Sequence, residues 1–182
     1  MQNVFVETNW VVSCAAPANA RPRDAVELAD IARRGEIRLH VPSICLSEAQ
    51  HPIRSKYQPR AAADSIRKYL AWASAQENWD RHEIEIVRRA LDRYESQVGI
   101  ELDQLQATLD ELRWRPGIEV FPLDEAMLRR SVELSTQRLD LKPYDQAILA
   151  AVLIRADQLR AAGETEFCFC ELDGDLQPWD KK

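Results

Sequence analysis

Four short runs rich in β-branched and aromatic residues are spaced along this chain with helical patterns between them, an alternation that points to a parallel sheet with helices on both faces. The first is Asn3-Val4-Phe5-Val6-Glu7, whose lack of polar alternation suits a strand buried on both sides. The second, Glu36 to Val41, alternates polar and apolar residues and is closed by Pro42. Between them, Ala25, Leu28, Ala29 and Ala32 recur at helical spacing from Pro22 to Arg34, and Gly35 stops the helix. The third strand is Ile118-Glu119-Val120-Phe121, entered through the turn Arg115-Pro116-Gly117, and the last is Glu166 to Cys170.

The joining segments read as helix. Ile44, Leu46 and Ala49 mark one segment, with Pro52 and Pro59 breaking it from the next, which carries Ile66, Tyr69, Leu70 and Ala73. A third stripe runs through Ile84, Val87, Leu91, Tyr94, Val98, Leu102, Leu105 and Leu109, with Asn78 or Asp80 able to cap it. Asp124 caps a helix reaching about Arg138, and Pro143 opens another with Ile148, Leu149, Val152 and Leu153 on one face. The predicted fold class is therefore α/β, a three-layer sandwich around a mostly parallel sheet. It forms one domain over 1–182 with a helical insertion at approximately 54–114, a hairpin or lid standing on the sheet.

A length of 182 residues with 46% hydrophobic content and only 5 glycines suits one soluble, helix-rich domain. A net charge of -6 argues against a protein that grips nucleic acid over its whole surface, yet it is what a concentrated carboxylate site would give. Cys14, Cys45, Cys168 and Cys170 lack C-x-x-C spacing and read as reduced, mostly buried thiols. The apolar stretch from Val4 to Ala20 lacks a basic leader and is interrupted by Glu7 and Asn9, so a cytoplasmic protein without a membrane segment is expected. His40, His51 and His82 have no metal-ligand spacing, and no serine-hydrolase elbow, dinucleotide fingerprint or phosphate-binding loop is present.

Ligands of open parallel sheets bind outside the carboxyl ends of the strands. Glu7 ends the first strand, Glu48 follows the second, Asp145 opens the helix before the last, and Asp173 and Asp175 follow the last. Carboxylate oxygen suits the hard cations Mg²⁺ and Mn²⁺, which activate water and neutralise charge building on a phosphate. Taken singly, each of these acids also reads as a cap, a helix-dipole partner or a surface turn.

At these residues the sequence resembles the PIN-domain family of metal-dependent ribonucleases, which includes the toxins of many toxin–antitoxin pairs. The resemblance runs end to end, through Val4-Phe5-Val6-Glu7-Thr8-Asn9, Val41-Pro42-Ser43 leading to Glu48, Leu141 to Ala150 around Asp145, and Cys170 to Leu176. It implies a PIN-like fold, catalytic and metal-binding roles for Glu7, Glu48, Asp145 and Asp173, and Asp175 as an auxiliary ligand. It further implies Mg²⁺ or Mn²⁺ as cofactor, RNA as substrate, a small antitoxin protein as partner, and a homodimer. Two departures stand out: Glu7 replaces the family's Asp, so its carboxylate must fold back by one methylene, and Glu171 and Leu176 replace Ser or Thr and Phe. Glu171 becomes a spare candidate ligand.

Substrate contacts are expected from Thr8 and Asn9 at the first turn and from Arg54, Lys56 and Arg60. The segment from Pro52 to Lys68 holds five basic residues and one acid, a local charge of +4. A solvated helix face accounts for the same charges, and Tyr57 and Trp72 read either as stackers for an unpaired base or as core and interface aromatics. The competing functional reading is a PIN-like module, catalytically weak or inactive, that binds RNA or protein.

Overall fold

The structure is a computed structural model that describes residues 1–16, 21–57, 60–76, 79–137, 139 and 141–171, with backbone only for 56, 57 and 60–62. In chain order the elements are β1 (Gln2–Val6), α1 (Thr8–Ala15), α2 (Arg23–Arg33), β2 (Ile37–Pro42), α3 (Ser43–Tyr57) and α4 (Arg60–Ala73). They continue as α5 (Arg81–Leu112), β3 (Ile118–Phe121), α6 (Glu125–Thr136), α7 (Pro143–Ala161) and β4 (Phe167–Cys170). The four strands form one all-parallel sheet in the order β3-β2-β1-β4.

That order fixes where a ligand would sit. From β1 the chain steps outward to β2 and β3, then crosses back to place β4 on the other side of β1, so the order reverses between β1 and β4. The carboxyl end of β1, where Glu7 follows Val6, is the switch point of the sheet.

Register sorts the side chains. Pairing of Phe5 with His40 and Phe169, and of His40 with Glu119, puts Asn3, Phe5, His40, Glu119, Phe121, Phe167 and Phe169 on one face. Helix α7 covers it: the Arg155 guanidinium pairs with Glu119 and lies 5.7 Å from the Phe121 ring, and Arg160 lies 5.5 Å from the Phe167 ring. On the other face, α2 rests against β2 and β3. The approach is so close at Gly117 (φ 79°) that an added Cβ would lie 2.1 Å from the Ala32 carbonyl oxygen.

Three expectations change. The stretch after Glu7, to which no element was assigned, is a full helix, α1; Trp10, Val11, Val12, Cys14 and Ala15 are all buried, so it shows no polar stripe to read. Pro52 does not break α3: it forfeits only the hydrogen bond to the Glu48 carbonyl, while buried Cys45, Leu46, Ala49 and Ile53 hold the helix down. Val87, Tyr94 and Leu153 lie on predicted apolar stripes but are exposed. The α4–α5 hairpin has its own small core of Ala63, Leu70, Ala73, Ile84 and Leu91, separate from the main one. No helix among the described residues is long and apolar enough to cross a membrane.

Candidate metal centre

Glu7 is the N-cap of α1: its backbone is extended, and its Oε2 accepts a 2.6 Å hydrogen bond from the Asn9 N–H. The extra methylene relative to aspartate is thus folded back onto the helix start, with the carboxylate buried at 4% exposure. A buried carboxylate on a strand end requires compensation. The peptide N–H at the positive end of α1 supplies part of it.

Thr8, expected to face substrate, is instead buried, and its hydroxyl donates to Glu48 Oε2. The contact is possible because α1 and α3 pack together, bringing the first turn after β1 against the second turn after β2. Glu48 itself is half-buried. Cys45, one turn earlier on α3, is fully buried beside the same groups, and burial, reinforced by the negative charges of Glu7 and Glu48, pushes its thiol up to about 12. Only the three-residue spacing from Glu48 hinted that Cys45 belongs here.

Asp145 stands half-buried in the first turn of α7. Arg160 meets Phe167 at the start of β4 and Arg155 meets Phe121 at the end of β3, so α7 runs against the strands and its first turn lies toward the carboxyl edge. α7 also packs on α3, which carries Glu48. Glu171 follows Cys170, the register partner of Val6, so the sheet carries it to the same edge as Glu7. Asp173 and Asp175 lie outside the described residues.

Glu7, Thr8 and Glu48 are thus joined, with Asp145 and Glu171 on adjoining elements at one edge. Among the described residues, no three His, Cys, Asp or Glu side chains meet in a group able to hold a metal ion. The donor chemistry fits a hard cation, since the groups gathered are carboxylates.

Of the basic residues, Arg54 is exposed and lines a cavity of about 440 Å³ between α3 and α5 with Gln50, Ile53, Leu102 and Asp103. The side chains of Lys56 and Arg60 are outside the described residues, as is that of Tyr57. Arg67 is engaged by Asp92 at 2.8 Å and Glu95 at 2.6 Å on α5, so part of the positive charge read from the sequence is neutralised within the hairpin.

A second polar group was not foreseen. His40, fully buried, places Nε2 2.9 Å from Asn3 Oδ1 and Nδ1 3.0 Å from Glu119 Oε2, and Glu119 also pairs with Arg155. Burial pulls the imidazole down to about 4, against the opposing pull of Glu119. It lies on the α7 side of the sheet at mid-strand and fastens three strands to that helix. Alternating Asn3, His40 and Glu119 on separate runs gave no hint of it until the register was known.

No protein-family model, curated protein or solved structure matches this chain.

Proposed function

We propose that this chain is a PIN-like, Mg²⁺- or Mn²⁺-dependent endoribonuclease whose activity is held in check by a small antitoxin protein. The observation that carries this reading is Glu7: a carboxylate buried at the strand-order reversal and tied through Thr8 to Glu48 on the next crossover. A carboxylate buried at that edge, with a second one tied to the next residue, is a candidate pair of oxygen ligands for a hard cation. Bound at that edge, a divalent ion supplies Lewis acidity to a water and to the scissile phosphate.

The residues of the chain then have separate tasks. Glu7 and Glu48 hold the ion, Thr8 orients Glu48, and Asp145 and Glu171 complete the oxygen set from α7 and β4. Arg54, which lines the α3–α5 groove, would receive a backbone phosphate. Single-stranded RNA incubated with Mn²⁺ should be cut by the wild type, and Glu48→Gln and Asp145→Asn should each lower the rate on the order of 100-fold or more. Wild-type protein no faster than Asp145→Asn would defeat the nuclease reading.

One observation favours the second reading, a non-catalytic RNA- or protein-binding module. Glu7 gives one oxygen to the Asn9 N–H, so part of its ligand capacity is used within the fold. Calorimetric titration separates the two: micromolar Mn²⁺ binding that vanishes in Glu48→Gln marks the nuclease, and no Mn²⁺ heat in the wild type marks the module.

A further inference from the structure

We infer that the groove between α3 and α5 receives unpaired bases of an RNA strand and selects those that carry an exocyclic amine. The inference rests on the proposed reading of RNA as substrate and deepens it. Two cavities, of about 350 Å³ and 440 Å³, lie along the groove and share Gln50 and Gln106. The first is lined by Ser43 of α3 with Asp110 and Arg113 of α5, the second by Arg54 of α3 with Gly99 and Asp103 of α5. The two helices therefore run antiparallel, and the cavities join end to end over ~16 Å at 1.5 Å per residue. Ser43 follows β2 directly and Leu123, which also lines the groove, follows β3, so the groove opens at the carboxyl edge of the sheet. Ser47 and Gln50 flank Glu48 on α3, so the groove and the candidate metal centre share that helix.

Gly99 distinguishes this groove from an ordinary gap between helices. It stands in the interior of the 32-residue α5, where only proline is less favourable than glycine. Nothing in the fold requires it there: its φ is not positive, and an added Cβ would have nothing within 4 Å. Gly117 is the contrast, since Ala32 excludes any side chain at that position. Bare backbone facing open space on a groove wall is what a flat ligand lying against the helix uses. The polar groups of the walls are also unspent. Among the described residues, the side chains of Gln50, Arg54, Asp103, Gln106, Asp110 and Arg113 make no hydrogen bond or ion pair, whereas Arg67 on α4 holds two carboxylates.

The chemistry of the walls names the occupant. Leu46, Ile53, Leu102 and Leu109 give apolar surface for the faces of a ring, and Gln50 and Gln106 offer amides, each both donor and acceptor, where the cavities meet. Glutamine pairs with the amine and ring nitrogen of adenine, and carboxylates such as Asp103 and Asp110 accept from an amine such as that of cytosine. Uracil has no amine and would turn two carbonyl oxygens toward the same carboxylates. Arg54 and Arg113 are balanced by Asp103 and Asp110, so the groove is not a track for a polyanionic backbone along its length. The arginines stand at its two ends, where phosphates would enter and leave. A peptide would instead extend a sheet edge or lay an apolar helix face into an apolar groove. Both walls here are helices, and both carry polar side chains.

Fluorescence anisotropy of end-labelled oligo(A), oligo(C) and oligo(U), each about ten nucleotides long, tests this with the full chain in EDTA, where metal-dependent cleavage is silent. The A and C oligomers should bind at least about 5-fold more tightly than U. Gly99→Leu should weaken A and C binding by about 10-fold or more, while its melting temperature stays at or above that of the wild type. Gln50→Leu combined with Gln106→Leu should bring the three oligomers within about 2-fold of one another. Equal binding of the three by the wild type, binding of none, or unchanged A and C binding in Gly99→Leu overturns the inference. The nuclease reading is judged apart from it: base discrimination in EDTA without cleavage in Mn²⁺ keeps the groove and loses the nuclease, and cleavage with equal binding does the reverse.

Discussion

Phe5 on β1 and Tyr69 on α4 are both aromatic residues on apolar faces, yet the first is 1% exposed and the second 51%. Phe5 stacks on His40 at 5.0 Å inside a sheet covered by α7, while Tyr69 meets Trp72 and Trp79, both exposed on its own hairpin. The same hydrophobic signal in sequence thus has two outcomes: one region completes its packing within the chain, and the other presents a finished face outward. What separates them is layering. The sheet has helices over it, and among the described residues α4 has substantial contact with α5 alone.

The sharpest way to break this contrast is by truncation on each side. Phe5→Ala should cost about 3–5 kcal/mol, because the sheet and α7 cannot collapse into the void, whereas Leu70→Ala should cost about 2 kcal/mol or less in the looser hairpin. Urea unfolding of the two variants measures both values, and equal losses would erase the distinction. Next in size is pH. His40 has a folded pKa near 4 against 6.5 unfolded, so its contribution is present above 6.5 and is lost as pH falls from 6.5 toward 4, by about 3 kcal/mol at most. Denaturant melts at pH 7 and pH 4.5 should show that slope in the wild type and a shallower one in His40→Gln. The smallest effect belongs to the candidate metal centre: on the proposed reading, Thr8→Val should weaken Mn²⁺ binding about 10-fold by freeing Glu48, with Thr8→Ser restoring it. Unaltered affinity in Thr8→Val would confine the Thr8 hydrogen bond to a structural role.

Elements with a clear period or a breaker were legible in the sequence. The four strands, the Asp124 and Asp80 caps and the Pro143 start of α7 lie where the pattern puts them. α1 was not legible, because a helix buried nearly all round has no polar side to reveal its turn. Pro52 misled because a missing N–H counts heavily in a sequence pattern and little in a helix held by four buried side chains. At the candidate site, Glu7 and Glu48 could be placed from strand ends alone. The Thr8 bridge and the buried Cys45 depend on how α1 lies on α3, which no spacing encodes. Periodicity alone likewise marked Val87 and Tyr94 as apolar positions without telling what, if anything, covers them.

The position of β1 at the middle of the sheet has a consequence for biosynthesis. Residues 2–6 are made before their β4 neighbours, 167–170, which arrive only after the intervening helices have been translated. A nascent chain can pair β1 with β2, and β2 with β3, before β4 exists, but the crevice beside Glu7 gains its second wall last. A scaffold of β1, β2 and β3 can therefore stand on the ribosome well before the cleft beside Glu7 is finished, and whatever that cleft binds must wait for β4.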